Sequence, residues 1–102
     1  MATPGIDGCW VGPSDLALTL GFHPSKMDER EEHANALQKV LKACENTGKI
    51  PGIAGRSVND AVNRAELGFQ FITAGSDLGF VLSGADAALN TLRAANFKSA
   101  AK

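Results

Sequence analysis

The sequence predicts a small α/β domain with a parallel β-sheet, and two observations support this fold class. Three short apolar runs alternate with longer segments in which apolar residues recur every three to four positions. Each segment between two runs holds about ten residues or more, a length that requires parallel neighbouring strands with right-handed crossovers. The chain has 102 residues, so we expect residues 1–102 to form part of one domain, with 96–102 as a frayed tail.

The first half of the chain predicts one strand and two helices. The strand is expected at residues 6–12, an apolar run bounded by glycines, and a short helix follows and stops at Gly21. A long amphipathic helix is expected to start near Ser25, since Asp28 three positions later completes a capping-box-like pattern. Gly48 ends this helix as a left-handed cap. Its apolar face consists of Ala34, Leu37, Val40, Leu41 and Cys44.

The second half predicts two more strands, each followed by a helix. A strand is expected within residues 49–55, with Pro51 near its start because proline cannot donate to a sheet ladder. Ser57 is expected to cap the helix that follows. The third strand lies within residues 69–75, and Ser76 caps the last helix. The apolar face of that helix consists of Leu78, Val81, Leu82, Ala85, Leu89 and Leu92.

Three parallel strands predict an incomplete sheet. Parallel strands are normally covered on both faces, and each edge strand presents unpaired backbone groups. Three strands cannot close on themselves, so this region is expected to be a piece of a larger assembly.

Composition excludes several classes of partner. The net charge is −1 without a Lys/Arg cluster, so we expect no nucleic-acid binding. No apolar run approaches the roughly 20 residues that span a bilayer, and the N-terminal residues do not resemble a signal peptide. We therefore expect no membrane association and a cytoplasmic location. Cys9 and Cys44 are expected to be small buried hydrophobes in a reducing compartment, not a disulfide or a metal pair.

Two strands end in a similar Ser-Asp turn, at Gly12-Pro13-Ser14-Asp15 and at Gly75-Ser76-Asp77. Ligands of α/β sheets gather at the carboxyl ends of strands, where helix N-termini can hold anions. Pro13 stiffens the first turn, so Asp15 is aimed as a hard cation such as Mg²⁺ requires. The alternative is that Ser and Asp are ordinary helix caps in both turns.

The remaining candidate functional residues are expected to have structural roles only. His23 is expected in a loop and His33 on the polar side of a helix. Trp10 is expected in the core. The sequence contains no dinucleotide-binding glycine motif, P-loop or nucleophile elbow.

The segment 4–8 (PGIDG) followed by 11–16 (VGPSDL) resembles a segment of the HpcH/HpaI aldolase/citrate lyase family. These are metal-dependent class II aldolases that act on 2-oxo acids and are built as TIM barrels. The resemblance continues through 48–53, 66–69 and 71–77 in the same order. It implies that the chain is the C-terminal three βα units of a (β/α)8 barrel, which needs about 250 residues in all.

The resemblance also implies roles for three residues. Asp15 would be one of two carboxylates that bind Mg²⁺, Mn²⁺ or Co²⁺. Backbone N–H groups of Ser14 and Asp15 would hold the carboxylate of a pyruvate-type 2-oxo acid, and Ile53 would line the substrate pocket. The metal would polarise the 2-oxo carbonyl and stabilise the enolate. The family's other metal-binding Glu, catalytic His and Arg have no counterpart here, so the chain alone is expected to be inactive.

Three interpretations stay open. The chain is part of a carbon–carbon lyase acting on pyruvate-type acids, with family homo-oligomers that exchange C-terminal helices. Alternatively, it is a non-catalytic α/β piece that self-associates or completes a barrel with a partner chain. The third interpretation is an independent α/β domain that binds a small anion.

Overall fold

The computed structural model describes residues 1–95, so the predicted tail at 96–102 lies outside the described residues. The predicted order of strands and helices is confirmed. The elements are β1 (Gly8–Val11), α1 (Pro13–Thr19), a 3₁₀ helix (Pro24–Glu29), α2 (Glu31–Thr47), β2 (Ile50–Ala54), α3 (Val58–Leu67), β3 (Phe71–Thr73) and α4 (Asp77–Ala94).

The three strands form one parallel sheet in the order β1-β2-β3. Val11 lies opposite Ile53 on the central strand, and Ile53 lies opposite Ile72 on β3. Pro51 is the second residue of β2, as expected for a residue without an N–H group, and its carbonyl accepts a hydrogen bond from Gln70 N at 2.8 Å. The predicted parallel topology is therefore confirmed.

Helices cover one face of the sheet and form the core there. Ile53 is fully buried and packs with Leu37 of α2 and Phe69, which precedes β3. Partly buried side chains from both neighbouring strands complete this layer, among them Val11 and Ile72. Since Cys9 and Val11 alternate with Trp10 along β1, Trp10 lies on the opposite face of the sheet.

The opposite face of the sheet is open, and this corrects the prediction for Trp10. Its side chain is 55% exposed, together with Ile50 at 48% and Phe71 at 65%. The core prediction for Trp10 was wrong because an apolar strand pattern does not say which of two apolar faces is covered. Among residues 1–95, helices cover only the face that holds Ile53.

The beginning of the long helix also differs from the prediction. Pro24–Glu29 form a separate 3₁₀ helix, and Arg30 has extended backbone angles before α2 begins at Glu31. Ser25 does not cap a helix with its side chain. Instead, His23 Nδ1 accepts the Ser25 N–H at 3.1 Å and caps the 3₁₀ helix. The local Ser25–Asp28 spacing was therefore not sufficient to define a capping box.

The last helix, α4, begins as predicted but has no buried residue within residues 1–95. Ser76 Oγ accepts the Gly79 N–H at 3.0 Å and caps the helix. None of the α4 residues is buried, and Leu78, Val81 and Leu82 are 64%, 68% and 56% exposed. Its predicted apolar face is thus present as a stripe without a partner in the described chain. In this part of the protein, no helix combines the length and apolar character needed to cross a bilayer.

Candidate functional site

The turn after β1 presents Ser14 and Asp15 at the carboxyl edge of the sheet. Gly12 is the N-cap of α1 and Pro13 occupies its first turn. The first helical hydrogen bond joins Leu16 N to Gly12 O at 2.9 Å. Backbone N–H groups ahead of that bond, those of Ser14 and Asp15, have no partner within the helix. Both residues are exposed, so this helix start is open to a ligand.

The Asp15 side chain leans toward the end of β1. A Cβ placed on Gly12 would lie 2.9 Å from Asp15 Oδ2, so a side chain there would collide with the carboxylate. Gly12 leaves the space that the carboxylate occupies, and Pro13 is buried beneath it. The carboxylate therefore lies beside the strand exit, which is the edge of the sheet where ligands of α/β proteins bind.

The two Ser-Asp turns differ in how their side chains are used. In the turn after β3, Ser76 Oγ accepts the Gly79 N–H, and Asp77 Oδ1 accepts the Leu78 N–H at 2.8 Å. In the turn after β1, the cap position is Gly12 and no side-chain hydrogen bond caps the helix. The cap interpretation therefore describes residues 76 and 77, whereas the carboxylate of Asp15 is not used as a cap.

A buried histidine supports the turn after β1. His33 of α2 is 3% exposed, and its Nε2 lies 2.9 Å from the Pro13 carbonyl oxygen. Since a carbonyl only accepts, Nε2 donates in this contact. The prediction of a surface position for His33 was wrong. The available signal was its spacing, because His33 precedes Leu37 by one helical turn and shares its buried face.

Charged residues at the exit of β2 are paired with one another. Asp60 Oδ2 accepts the Arg56 N–H at 2.9 Å, and Asp60 Oδ1 lies 3.1 Å from Arg56 Nη2 and 3.5 Å from Arg64 Nε. Arg56 also pairs with Asp28 at 3.2 Å. Burial raises the pKa of Asp60, but the bonds from Arg56 and the charge of Arg64 outweigh it and hold that pKa below its ordinary value.

The same cluster raises the pKa of Arg56, chiefly through its hydrogen bond to Asp60 and against the effect of burial. The Arg56 charge is thus balanced within the chain. Ser57 caps α3 as the sequence predicts, since its Oγ accepts the Asp60 N–H at 3.1 Å. Arg56 and Arg64 lie four residues before and after Asp60, so this spacing was the signal that could have indicated both ion pairs.

The chain offers one metal-ligand candidate at this edge of the sheet. The carboxylate oxygens of Asp15 are hard donors of the kind that Mg²⁺ and Mn²⁺ bind. No group of three or more His, Cys, Asp or Glu residues with metal-binding geometry occurs within residues 1–95. The Asp15 carboxylate is thus a ligand of a suitable kind, but it does not belong to a complete metal site within residues 1–95.

Ile53 lies away from the open edge. Its side chain is fully buried in the layer between the sheet and the helices. The neighbouring residues on β2, Gly52 and Ala54, alternate with it and face the open side of the sheet. A role for Ile53 in lining a substrate pocket stays a prediction, and in this structure the side chain belongs to the core.

Comparison with characterised proteins identifies aldolases as relatives. The chain is 35% identical over 94 residues to a hydroxypyruvate/pyruvate aldolase of Rhizorhabdus wittichii, with 92% of this chain and 38% of the relative covered. It is 41% identical over 83 residues to a 5-keto-4-deoxy-D-glucarate aldolase of Klebsiella pneumoniae, with 76% and 30% covered. The chain therefore spans about a third of the length of these curated relatives. No protein-family model matches the chain.

Comparison with solved structures gives the same assignment. An HpcH/HpaI aldolase/citrate lyase family protein from Burkholderia cenocepacia superposes with a TM-score of 0.83 at 33% identity. The match covers 90% of this chain and 35% of that protein. The predicted fold class, three parallel βα units of an incomplete TIM barrel, is thereby confirmed.

Proposed function

This chain matches one segment of the HpcH/HpaI aldolase/citrate lyase family in sequence and in fold, and from that premise we propose that it supplies part of the active site of a divalent-metal-dependent aldolase. The substrates would be pyruvate-type 2-oxo acids, and the reaction would form or cleave a carbon–carbon bond. The protein would act in the cytoplasm. Within this chain, Asp15 would bind the metal and no residue would act as the catalytic acid or base.

The observation that carries this proposal is the difference between the two Ser-Asp turns. The side chains of Ser76 and Asp77 accept hydrogen bonds from backbone N–H groups at the start of α4, as ordinary caps do. Asp15 makes no cap, leans over Gly12 and is exposed at the strand exit. An acceptor-only side chain without a cap role at this edge is suited to a cation.

The residues of the first turn would bind the acid and keep the turn rigid. The N–H groups of Ser14 and Asp15 would bind the carboxylate of the 2-oxo acid, aided by the partial positive charge at the helix start. Pro13, held by His33 through its carbonyl, would keep this turn rigid so that acid and metal are presented together. When bound, the metal supplies Lewis-acid polarisation of the 2-oxo carbonyl.

The test is an aldol assay with the remaining barrel units supplied. The full chain is combined with a complementary half from a family relative, and the addition of pyruvate to an aldehyde is followed with Mg²⁺ or Mn²⁺. Asp15→Asn should lower the rate by about a hundredfold or more, because the Lewis acid contributes several kcal/mol to transition-state stabilisation. Asp77→Asn is the matched control and should retain activity, since Asp77 serves as a local cap.

Activity, helical content and Mn²⁺ binding together decide the outcome. Retained activity in Asp15→Asn would show that Asp15 is not a metal ligand. Equal losses in both variants, with reduced helical content, would show that each Asp only supports its helix. Mn²⁺ binding by electron paramagnetic resonance separates ligation from catalysis, and we expect Asp15→Asn alone to weaken it. Activity of the chain without the complementary half would contradict the prediction that this segment is inactive alone.

A second candidate function is a non-catalytic piece that covers its open surfaces with a copy of itself or a partner chain. The exposed face at Trp10, Ile50 and Phe71 and the exposed stripe of α4 favour association. Size-exclusion chromatography with light scattering distinguishes this candidate. A stable monomer would count against it, and metal-independent binding of pyruvate by calorimetry would favour a simple anion-binding domain.

A further inference from the structure

Two cysteines that are distant in sequence lie against each other in the fold. Cys9 belongs to β1 and Cys44 to α2, and they are 35 positions apart in the sequence, yet their Sγ atoms are 3.7 Å apart. Both are free thiols, Cys44 buried and Cys9 partly exposed. They are free thiols, as expected, and the contact between them is a feature that the sequence did not indicate.

The spacing of the two sulfur atoms is close to that needed for a covalent bond. A disulfide has an S–S length of about 2.05 Å, so the two Sγ atoms would approach each other by less than about 2 Å. A metal site at this position lacks ligands, because residues 1–95 contain no group of three or more metal-binding side chains. The reaction open to a pair of thiols without further ligands is oxidation by an external disulfide.

We propose that Cys9 and Cys44 are a modification site, at which a low-molecular-weight disulfide oxidises the pair to an intramolecular disulfide joining β1 to α2. The bond would close a loop that contains α1 and the 3₁₀ helix. It would also tether β1, the strand that leads into the Gly12–Asp15 turn, to the helix beneath it. This inference does not depend on whether Asp15 binds a metal.

The order of the two exchange steps follows from exposure. The Cys9 thiolate attacks a sulfur of glutathione disulfide, forming a mixed disulfide and releasing one glutathione thiolate, which takes up the proton lost by Cys9. Cys44 then loses its proton and attacks Cys9 Sγ, and the second glutathione leaves as a thiol. Two protein thiols are oxidised and one glutathione disulfide is reduced to two glutathione molecules.

The buried cysteine is poorly suited to the first step. Burial and the contact with Cys9 raise the pKa of Cys44, so this thiol is largely protonated at neutral pH. Its attack is effective only when the target sulfur is held beside it. The 3.7 Å contact supplies that proximity once Cys9 carries the mixed disulfide.

The experiment follows the intact mass of the full chain during treatment with glutathione disulfide. We expect the mass to fall by two hydrogen atoms and both thiols to become unreactive toward N-ethylmaleimide after unfolding. A non-reducing gel should show a monomer, and dithiothreitol should restore both thiols. A stable glutathione adduct, two thiols that still react, or a disulfide between two chains would each overturn the proposal.

Single variants test the order of the steps. Cys44→Ser should stop at one glutathione adduct on Cys9, because the resolving thiol is missing. Cys9→Ser should stay unmodified while folded, because Cys44 is buried. Circular dichroism confirms that each variant is folded, and Cys44→Ala replaces Cys44→Ser if the hydroxyl is not tolerated. Rapid modification of Cys44 in folded Cys9→Ser would contradict the proposed order.

Discussion

Individual residues show that one short pattern can serve two purposes. Ser-Asp-Leu follows β1 and also β3, but only the second copy uses both polar side chains to satisfy its helix start. The difference arises at Gly12 and Pro13, which occupy the cap and first helical positions and place the Ser-Asp pair two positions further into the helix than in the turn after β3. A helix starting at proline needs one fewer acceptor, since proline has no N–H. Asp15 is consequently available for another contact.

At the same scale, we predict that substitution of His33 lowers the stability of the fold. His33→Leu removes the donor to the Pro13 carbonyl, a contact of 2.9 Å in a buried position. Leaving that acceptor unsatisfied should lower the free energy of unfolding by about 1–3 kcal/mol. Urea denaturation measures this change. His33→Gln retains an N–H donor and should lose less; equal stability of His33→Leu and the unmodified chain would show that this bond does not stabilise the fold.

Among the elements, α3 is held at its start by an acidic residue between two arginines. Ser57 caps the helix, and Asp60 in its first turn bonds Arg56 and approaches Arg64. Arg64 is buried, and its Nε has no hydrogen-bond partner within residues 1–95 beyond this 3.5 Å ion pair. The carboxylate thus neutralises a buried cation as well as supporting the helix.

This arrangement predicts a pH dependence of stability. The pKa of Asp60 is lower in the folded chain than its ordinary value of about 3.9. The ionised carboxylate therefore contributes stability that is fully present above about pH 4, and that contribution is lost as the pH falls through the lowered folded pKa. Urea midpoints measured at decreasing pH should show this loss.

Two variants isolate the contribution of Asp60. Asp60→Asn should be less stable than the unmodified chain at pH 7, and the difference should shrink as the pH decreases below about 4. Asp86→Asn removes an exposed carboxylate of α4 and serves as the control. A difference that stays constant from neutral to acid pH would indicate that the Asp60 carboxylate does not stabilise the fold through its charge.

The molecule as a whole is more extended than a compact domain of the same length. The radius of gyration is 18.6 Å and the extents are 61 × 28 × 21 Å, whereas a compact domain of this length has a radius of about 13 Å. No residue of α4 is buried, and the sheet face that holds Trp10, Ile50 and Phe71 is exposed. Both surfaces are apolar, so we expect them to be covered in the working protein.

The exposed stripe of α4 predicts association through this helix. Val81→Glu places a charge in the centre of the stripe, where the native side chain is 68% exposed. If copies of the chain cover α4, light scattering after size-exclusion chromatography should show a smaller species for Val81→Glu. Asn90→Glu adds the same charge on the polar side of the helix and should leave the mass unchanged. An identical mass for all three proteins would rule out a copy of the chain as the partner on this stripe.

Local sequence determined which elements form and where most of them end. Alternating apolar runs, the caps at Ser57 and Ser76, and the glycine stops at positions 48 and 68 all act between residues a few positions apart, so they can be read without the fold. The order of the strands follows from the same spacing, because a long crossover requires a parallel neighbour.

The tertiary structure alone decided which side of each element is covered and which distant residues meet. Trp10 was expected to be buried and is exposed, whereas His33 was expected to be exposed and is buried. Burial depends on what packs against a face and not on the polarity of the residue itself. Cys9 meets Cys44, and Arg56 meets Asp28, through the packing of helices and strands. The availability of Asp15 was likewise decided by geometry, since the same three letters cap a helix in one turn and leave a carboxylate open in the other.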